Sequence, residues 1–213
     1  MALPQQNTMT SAQYLAFERG SDIRHEYIDG YVYAITGANE NHNLIVVNLT
    51  AAFHRQFRKR PCKVYAEGMR VQAGKNYLYP DIVALCGHAE FADETFDMLT
   101  NLQVIVEVQS PTTKRYDEGG KFELYRRLDT LQEYLLVSQE TPHVSHYVRQ
   151  ENGAWLPHDI VGLDATVNIE AVDLSLPLED IYEKVEIPKP ARPNGPHAKT
   201  LKPGHSPTYA HTV

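Results

Sequence analysis

Two acidic residues lie inside apolar segments of this sequence, where a carboxylate is tolerated only if something answers its charge. The first is Asp81, in YLYPDIVALC, and the second is Glu107, in LQVIVEVQSP. Pro80 suits the start of a strand, where its missing N–H is least costly. Ile82 to Cys86 is apolar at every position, which predicts a strand buried on both faces. Alternation along the second segment puts Leu102, Val104, Val106 and Val108 on one face and Gln103, Ile105, Glu107 and Gln109 on the other. A buried, unpaired carboxylate is expensive, and a basic partner or a metal ion relieves it. If neighbouring strands bring Asp81 and Glu107 together, their repulsion raises at least one pKa unless a cation sits between them. A hard divalent ion fits: Mg2+ takes one or two protein carboxylates, keeps several waters and accepts phosphate oxygens. Such an ion orients water and stabilises a phosphoryl transition state. A single strand acid is ordinarily salt-bridged or exposed at a strand end. A Pro-Asp pair followed by Glu-x-Gln on a second apolar strand is a more specific pattern.

The elements that would position these acids can be read from the chain. Thr10 to Arg19 reads as a short helix capped by Thr10 or Ser11. HEYI-DG-YVYAI, His25 to Ile35, is a hairpin signal. Asn41 to Arg58 is the longest predicted helix, with His42, Ile45, Val46, Leu49, Phe53 and Phe57 in one apolar stripe, and Pro61 ends it. Strands are expected at Cys62 to Val71, Tyr79 to Cys86 and Gln103 to Gln109. Asp117 would cap a helix from Glu118 to Leu128, and strands follow at Glu133 to Val137, Val144 to Val148, near Trp155 and at Val167 to Ile169. A short helix at Leu178 to Lys184 closes the body. This order is no regular βαβ alternation, which disfavours a doubly wound nucleotide-binding fold. The chain contains no phosphate-cradling glycine motif, no H-E-x-x-H and no G-x-S-x-G.

The chain has 213 residues, 22% charged and 42% hydrophobic, the balance of a soluble globular domain. Its net charge of −7 argues against a large non-specific nucleic-acid footprint. From Pro188 to Val213 there is no acid, while Lys189, Arg192, Lys199 and Lys202 accompany six prolines. We expect a disordered, basic, proline-rich tail at 188–213 and a folded body of charge −11 at 1–187. The widely spaced His197, His205 and His211 of the tail make a poor metal site. His143 and His146, three apart on a strand, face opposite ways and are not expected to share a ligand. No apolar run is long enough to span a bilayer. The N-terminal residues lack the basic start and apolar stretch of a secretory signal. Two distant cysteines, Cys62 and Cys86, predict neither a disulfide framework nor a cysteine zinc site, and favour a cytoplasmic setting.

Several words of the sequence carry a family resemblance: HEYIDG, NENHN opening a helix, YPDIVALCG, VIVEVQSPTT, KRYDEGGKFELYRR and LQEYLLVSQ. Together they resemble the Uma-type putative restriction endonuclease family, a branch of the PD-(D/E)XK nuclease superfamily. The resemblance runs from about Thr10 to Tyr182, and the EVxSP…D…K…Y run is its most specific part. It implies an α/β (α+β) fold, a restriction-endonuclease-like mixed central sheet flanked by helices. It also implies a Mg2+- or Mn2+-dependent endonuclease that hydrolyses DNA by metal-activated water, with two subunits addressing two strands in a homodimer. The rival implication is a nuclease-like fold that no longer cleaves and serves as a DNA- or partner-binding module; RNA is a third possibility.

Residue by residue, Asp81 and Glu107 match the family's metal-binding acids. Glu26, in RHEYIDG, resembles an extra acid completing the metal shell; otherwise it forms an ordinary salt bridge, for instance to Arg24. Gln109 stands where the superfamily has lysine, and an amide can hydrogen-bond but cannot stabilise a phosphorane by charge. Lys121 is the nearest replacement cation; in the first turn of its predicted helix it opposes the macrodipole, a hint of a role beyond helix stability. Tyr125 lies one turn further on the same face and either packs or touches phosphate. His42 is a buried, bonded histidine or a neighbour of a site carboxylate. Ser110 ends the strand as a cap, not a nucleophile.

Overall fold

The computed structural model describes residues 8–35, 37–110 and 114–187, with the Arg115 side chain left out. The expected tail at 188–213 lies outside the described residues, as do Pro111, Thr112 and Thr113 of the VQSPTT word.

Thr10 caps α1 (Ser11–Arg19) through a reciprocal capping box with Gln13, which satisfies two otherwise orphaned N–H groups. The hairpin follows as β1 (His25–Ile28) and β2 (Tyr31–Ala34), paired antiparallel. Its turn places both Asp29 (φ 50°) and Gly30 (φ 94°) in the left-handed region, as a two-residue hairpin turn of the Asp-Gly type requires. The long helix α2 (Glu40–Phe57) starts at the Asn39 cap and buries Ile45, Val46, Leu49, Phe53 and Phe57 along one face. The next expected strand proves to be two, β3 (Cys62–Ala66) and β4 (Arg70–Ala73), which belong to different sheets. Glu67 (φ 44°) and Gly68 (φ 158°) turn the chain between them. The strand expected from Tyr79 starts later, as β6 (Ile82–Cys86), so Asp81 stands one residue before it, and an unexpected β5 (Asn76–Leu78) precedes it.

A short β7 (Met98–Leu99) precedes β8 (Val104–Gln109), every residue of which is buried. The helical segment expected from Glu118 starts earlier. It runs as α3 (Lys114–Tyr116), a π-helical turn (Asp117–Lys121) and α4 (Phe122–Tyr125). Asp117 is therefore inside the helical run and not its cap, and Lys121 is not in a first turn, so the macrodipole argument does not apply to it. Gly120 explains how the widened turn fits: a Cβ there would meet the Tyr116 ring at 2.8 Å. The chain continues as β9 (Glu133–Ser138), β10 (His143–Arg149), β11 (Trp155–Val161), β12 (Thr166–Ile169), a 3-10 turn, β13 (Leu174–Pro177) and α5 (Leu178–Ile181). The sequence reading missed β5, β7 and β13.

Six strands form the central mixed sheet in the order β11-β10-β9-β8-β6-β3, with β8 and β9 parallel and the other pairs antiparallel. One face packs on α2: Val104, Val106 and Val108 of β8 join Ile45, Leu49 and Phe53 in one core. The opposite face, with Val83, Leu85, Ile105, Tyr134 and Leu136, packs on Phe122 and Tyr125 of α4. A second sheet, β2-β1-β5-β4-β7, carries the hairpin, and β12-β13 form a small ribbon.

Cys62 and Cys86 face each other across β3 and β6 and are joined by a disulfide. This corrects the expectation of unpaired cysteines. Their separation of 24 residues hides a cross-strand register that sequence spacing alone does not reveal. No helix among the described residues is long and apolar enough to cross a membrane.

Candidate functional site

The β6–β8 register pairs Ile82 with Val106 in antiparallel fashion. Asp81 immediately precedes β6, so it enters the sheet beside the stretch of β8 that carries Glu107, near enough for its charge to act on that carboxyl. The backbone N–H of Val108 donates to Asp81 Oδ2 at 2.6 Å, fixing that carboxylate to the end of β8. The other oxygen faces α2: His42 Nε2 lies 3.4 Å from Asp81 Oδ1 and 4.0 Å from Glu67 Oε1. The Asn39 cap accepts the His42 N–H and so places the imidazole in the first turn.

Glu107 is 3% exposed and sits among aromatic and aliphatic side chains. Its answering charge is Lys121, whose Nζ lies 2.9 Å from Glu107 Oε1 and 3.1 Å from Glu26 Oε1. The Tyr125 hydroxyl donates to the same Glu107 oxygen at 3.0 Å. Glu26 thus pairs with Lys121 and not with Arg24, which donates to the Glu67 carbonyl instead. Glu26 Oε1 also accepts the Tyr79 N–H at 3.3 Å. The Tyr79 side chain is anchored in turn, donating to Glu18 Oε1 and accepting from Arg70 Nε, each at 2.9 Å. The segment that leads into Asp81 is therefore held at both its backbone and its side chain.

Gln109 shares the Glu107 face, and its Nε2 donates to the Lys114 carbonyl at 3.3 Å, tying the strand end to the start of the helical run. Asp117 is buried and its charge acts on both Glu107 and Lys121. Tyr116 stands in the same field, and among the described residues its buried hydroxyl has no hydrogen-bond partner. Asp117 belongs to the D…K…Y run already noted, but neither it nor Tyr116 was expected in the site. Their signal is faint: a Tyr-Asp pair one helical turn before the lysine. Outside the site, His143 meets Asp159 and His146 meets Glu133, from opposite faces of β10 as the alternation requires.

The electrostatics follow from burial against like and unlike charge. Burial pushes the Glu107 carboxyl well above the usual range; Lys121 opposes this, while Asp81, Asp117 and Glu26 reinforce it. Burial alone would lower Lys121, but Glu107, Glu26, Asp117 and Asp81 overcome it and hold the ammonium protonated. Burial likewise pulls His42 down, and the bond and charge of Asp81 together with Glu67 carry it above the usual histidine value. Burial raises Tyr125, with Glu107 next, so its phenol keeps its proton.

Among the described residues Lys121 therefore answers Glu26 and Glu107, while His42 answers Asp81. With all three carboxylates ionised and both cations protonated, acids outnumber cations, and a divalent ion would offset the difference. The donor set consists of hard carboxylate oxygens on paired strands, and this fits Mg2+ or Mn2+. Among the described residues no three His, Cys, Asp or Glu side chains stand together as a ready ligand set. The fit is thus to two protein carboxylates with water completing the shell, as Mg2+ accepts.

A mixed sheet with paired acids at the ends of adjacent strands, flanked by helices on both faces, defines a restriction-endonuclease-like fold. The chain belongs to the Uma2 family, "putative restriction endonuclease", whose family model matches residues 11–179. It is 32% identical over 176 residues to uncharacterized protein slr1290 of Synechocystis sp. (strain ATCC 27184 / PCC 6803 / Kazusa), covering 82% of this chain and 91% of that protein. It is 31% identical over 161 residues to uncharacterized protein sll1609 of the same strain, covering 75% and 91%. A crystal structure of a putative nuclease belonging to DUF820 from Anabaena variabilis ATCC 29413 superimposes with a TM-score of 0.68. At 18% identity, over 82% of this chain and 97% of that one, the likeness speaks for the fold.

Proposed function

We propose that this chain, through a nuclease domain at 1–187, is an endonuclease that hydrolyses DNA phosphodiester bonds with a Mg2+ or Mn2+ ion held by Asp81 and Glu107. The observation that carries this reading is the approach of the two acids: Asp81 is bonded to the N–H of Val108, the residue after Glu107, and its charge acts on the Glu107 carboxyl. Glu26, which shares Lys121 with Glu107, stands ready to complete the acidic shell. When bound, the ion supplies charge neutralisation at the phosphate and lowers the pKa of a coordinated water.

The chain's own residues have the following roles. Asp81 and Glu107 fix the site, the first held by the Val108 N–H and His42, the second by Tyr125. Lys121 sets its ammonium beside both Glu107 and Glu26, so it orients water and steadies charge developing on the phosphate. Gln109 assists by holding the strand end against the start of α3, since its neutral amide cannot replace the charge of a lysine. A homodimer would let two such sites address two strands; a cytoplasmic setting rests on the DNA substrate alone, since the joined Cys62 and Cys86 no longer argue for it.

One observation favours a second reading, a binding module that no longer cleaves: the Lys121 ammonium already answers both Glu107 and Glu26. Plasmid nicking with Mg2+ or Mn2+ separates the two. Wild-type cleavage that disappears in Asp81→Ala and falls in Lys121→Ala supports the enzyme. Tight DNA binding with no cleavage of any nucleic acid supports the module. Equal cleavage by wild type and Asp81→Ala removes the site from Asp81.

A further inference from the structure

The distribution of positive charge points to a second functional surface. The chain carries −7 overall, yet from Phe53 to Tyr65 it contains Arg55, Arg58, Lys59, Arg60 and Lys63 with no acid at all. This segment is the C-terminal end of α2, the turn after it and the edge strand β3. It encloses an open groove of about 390 Å³ lined by His54, Phe57, Arg58, Arg60, Lys63 and Tyr65, among others.

Two of these cations have structural duties. Arg60 donates to the carbonyls of Val172 and Asp173, and Arg55 pairs with Asp180. Arg58, Lys59 and Lys63 are exposed, and among the described residues none has an acidic partner within 4.0 Å. Arg58 and Lys63 line the groove and Lys59 follows Arg58 in the chain; three such uncompensated cations close together on an acidic protein repel one another. Fold stability gives no reason to keep them together, whereas an anionic partner does.

We propose that this groove is a docking surface for the phosphate backbone of duplex DNA, contacted without regard to sequence. The polymer is chosen over an acidic protein because of where the groove leads. From Cys62 the edge strand runs back beside α2 and ends at Ala66, next to Glu67, whose N–H donates to the Asp81 carbonyl. The other wall, α2, runs from the groove to His42 beside Asp81. At 1.5 Å per residue, the sixteen positions from His42 to Arg58 span about 24 Å. That is about seven base pairs of duplex at 3.4 Å each. One duplex can therefore rest on the groove while another of its phosphates reaches the carboxylate cluster. The choice of DNA rests on the nuclease reading; the charge pattern itself does not.

The test is fluorescence anisotropy of a fluorescein-labelled 30-base-pair duplex of arbitrary sequence in EDTA, from 50 to 200 mM KCl. Wild type is compared with Arg58→Ser/Lys59→Ser/Lys63→Ser and with the charge-retaining Arg58→Lys/Lys59→Arg/Lys63→Arg. If each side chain neutralises one phosphate, the serine variant's salt slope is shallower by about 2.7, so wild type loses about 40-fold more affinity across that range than the variant does. The charge-retaining variant keeps the wild-type slope, and all three proteins melt alike because these side chains are exposed and unpaired. An unchanged slope in the serine variant overturns the proposal, as does a wild type that does not bind duplex DNA. It is also overturned if the serine variant aggregates while binding DNA normally, which would make Lys63 a guard of the β3 edge. Plasmid nicking keeps the two readings apart. A slope difference without any cleavage leaves the groove standing and removes the nuclease; cleavage with no slope difference does the reverse.

Discussion

Replacing Lys121 by methionine removes the buried cation while keeping a side chain of similar length. In the wild type, Nζ lies 2.9 Å from Glu107 and 3.1 Å from Glu26. At an effective dielectric of about 20, each contact contributes on the order of 5 kcal/mol of attraction. The desolvation of all three groups offsets much of this, so the assembled trio adds little net stability. Breaking it is another matter, because two carboxylates are then left buried, facing each other and Asp81 without a cation. Removing one partner of a buried ion pair costs about 3–5 kcal/mol. In a domain of this size each kcal/mol moves the melting temperature by about 2–4 °C, so the loss is roughly 6–20 °C. The assay is thermal denaturation in EDTA, followed by circular dichroism. The triple change Lys121→Met/Glu26→Gln/Glu107→Gln restores most of the loss, since neutral side chains bury without a charge penalty. A single Lys121→Met variant that melts within a degree of wild type would refute the reasoning, because it would mean that the ammonium does not answer those carboxylates.

Three further outcomes follow from the structure. Reducing Cys62–Cys86, or replacing both by serine, reopens a loop of 24 residues and lowers stability. The chain-entropy estimate is about 3.5 kcal/mol, read as a drop in the urea midpoint, and an unchanged midpoint under reductant would contradict it. The raised pKa of His42 means that its pairing with Asp81 contributes stability fully below its ordinary value of 6.5 and loses it as pH rises through the higher folded value. Wild type should therefore lose more stability between pH 5.5 and 8.5 than His42→Gln does, and parallel profiles would count against the pair. Because the buried Tyr116 hydroxyl lacks a partner among the described residues, Tyr116→Phe leaves stability unchanged or raises it by up to about 1–3 kcal/mol in urea unfolding. A loss would reveal a bond to that hydroxyl.

Much of the scaffold was legible because its signals are local. Thr10 and Gln13 announce a capping box, Asp29-Gly30 a tight hairpin, and the α2 stripe a helix lying on a sheet. The acids stood out because apolar strands rarely carry them. What escaped the reading depends on contacts between distant segments. The Cys62–Cys86 bond follows from the β3–β6 register, which no spacing encodes. The division after Ala66 sends one continuous-looking strand into two sheets, a decision made by the Glu67-Gly68 turn. The π turn moved Asp117 from a cap into the buried cluster. Its cue was Gly119-Gly120, which reads in sequence as a weak helix and in the structure makes room for the Tyr116 ring. Glu26 was assigned either an added acidic role or a surface partner, and only the fold shows that it shares Lys121 with Glu107.

The account turns on whether Asp81 and Glu107 hold one ion between them. Calorimetric titration of Mn2+ into wild type, Asp81→Asn and Glu107→Gln measures this directly. We predict one strong site per chain in wild type and its loss in either variant, each of which remains folded by circular dichroism. Equal Mn2+ binding by all three proteins, or none by wild type, would contradict it.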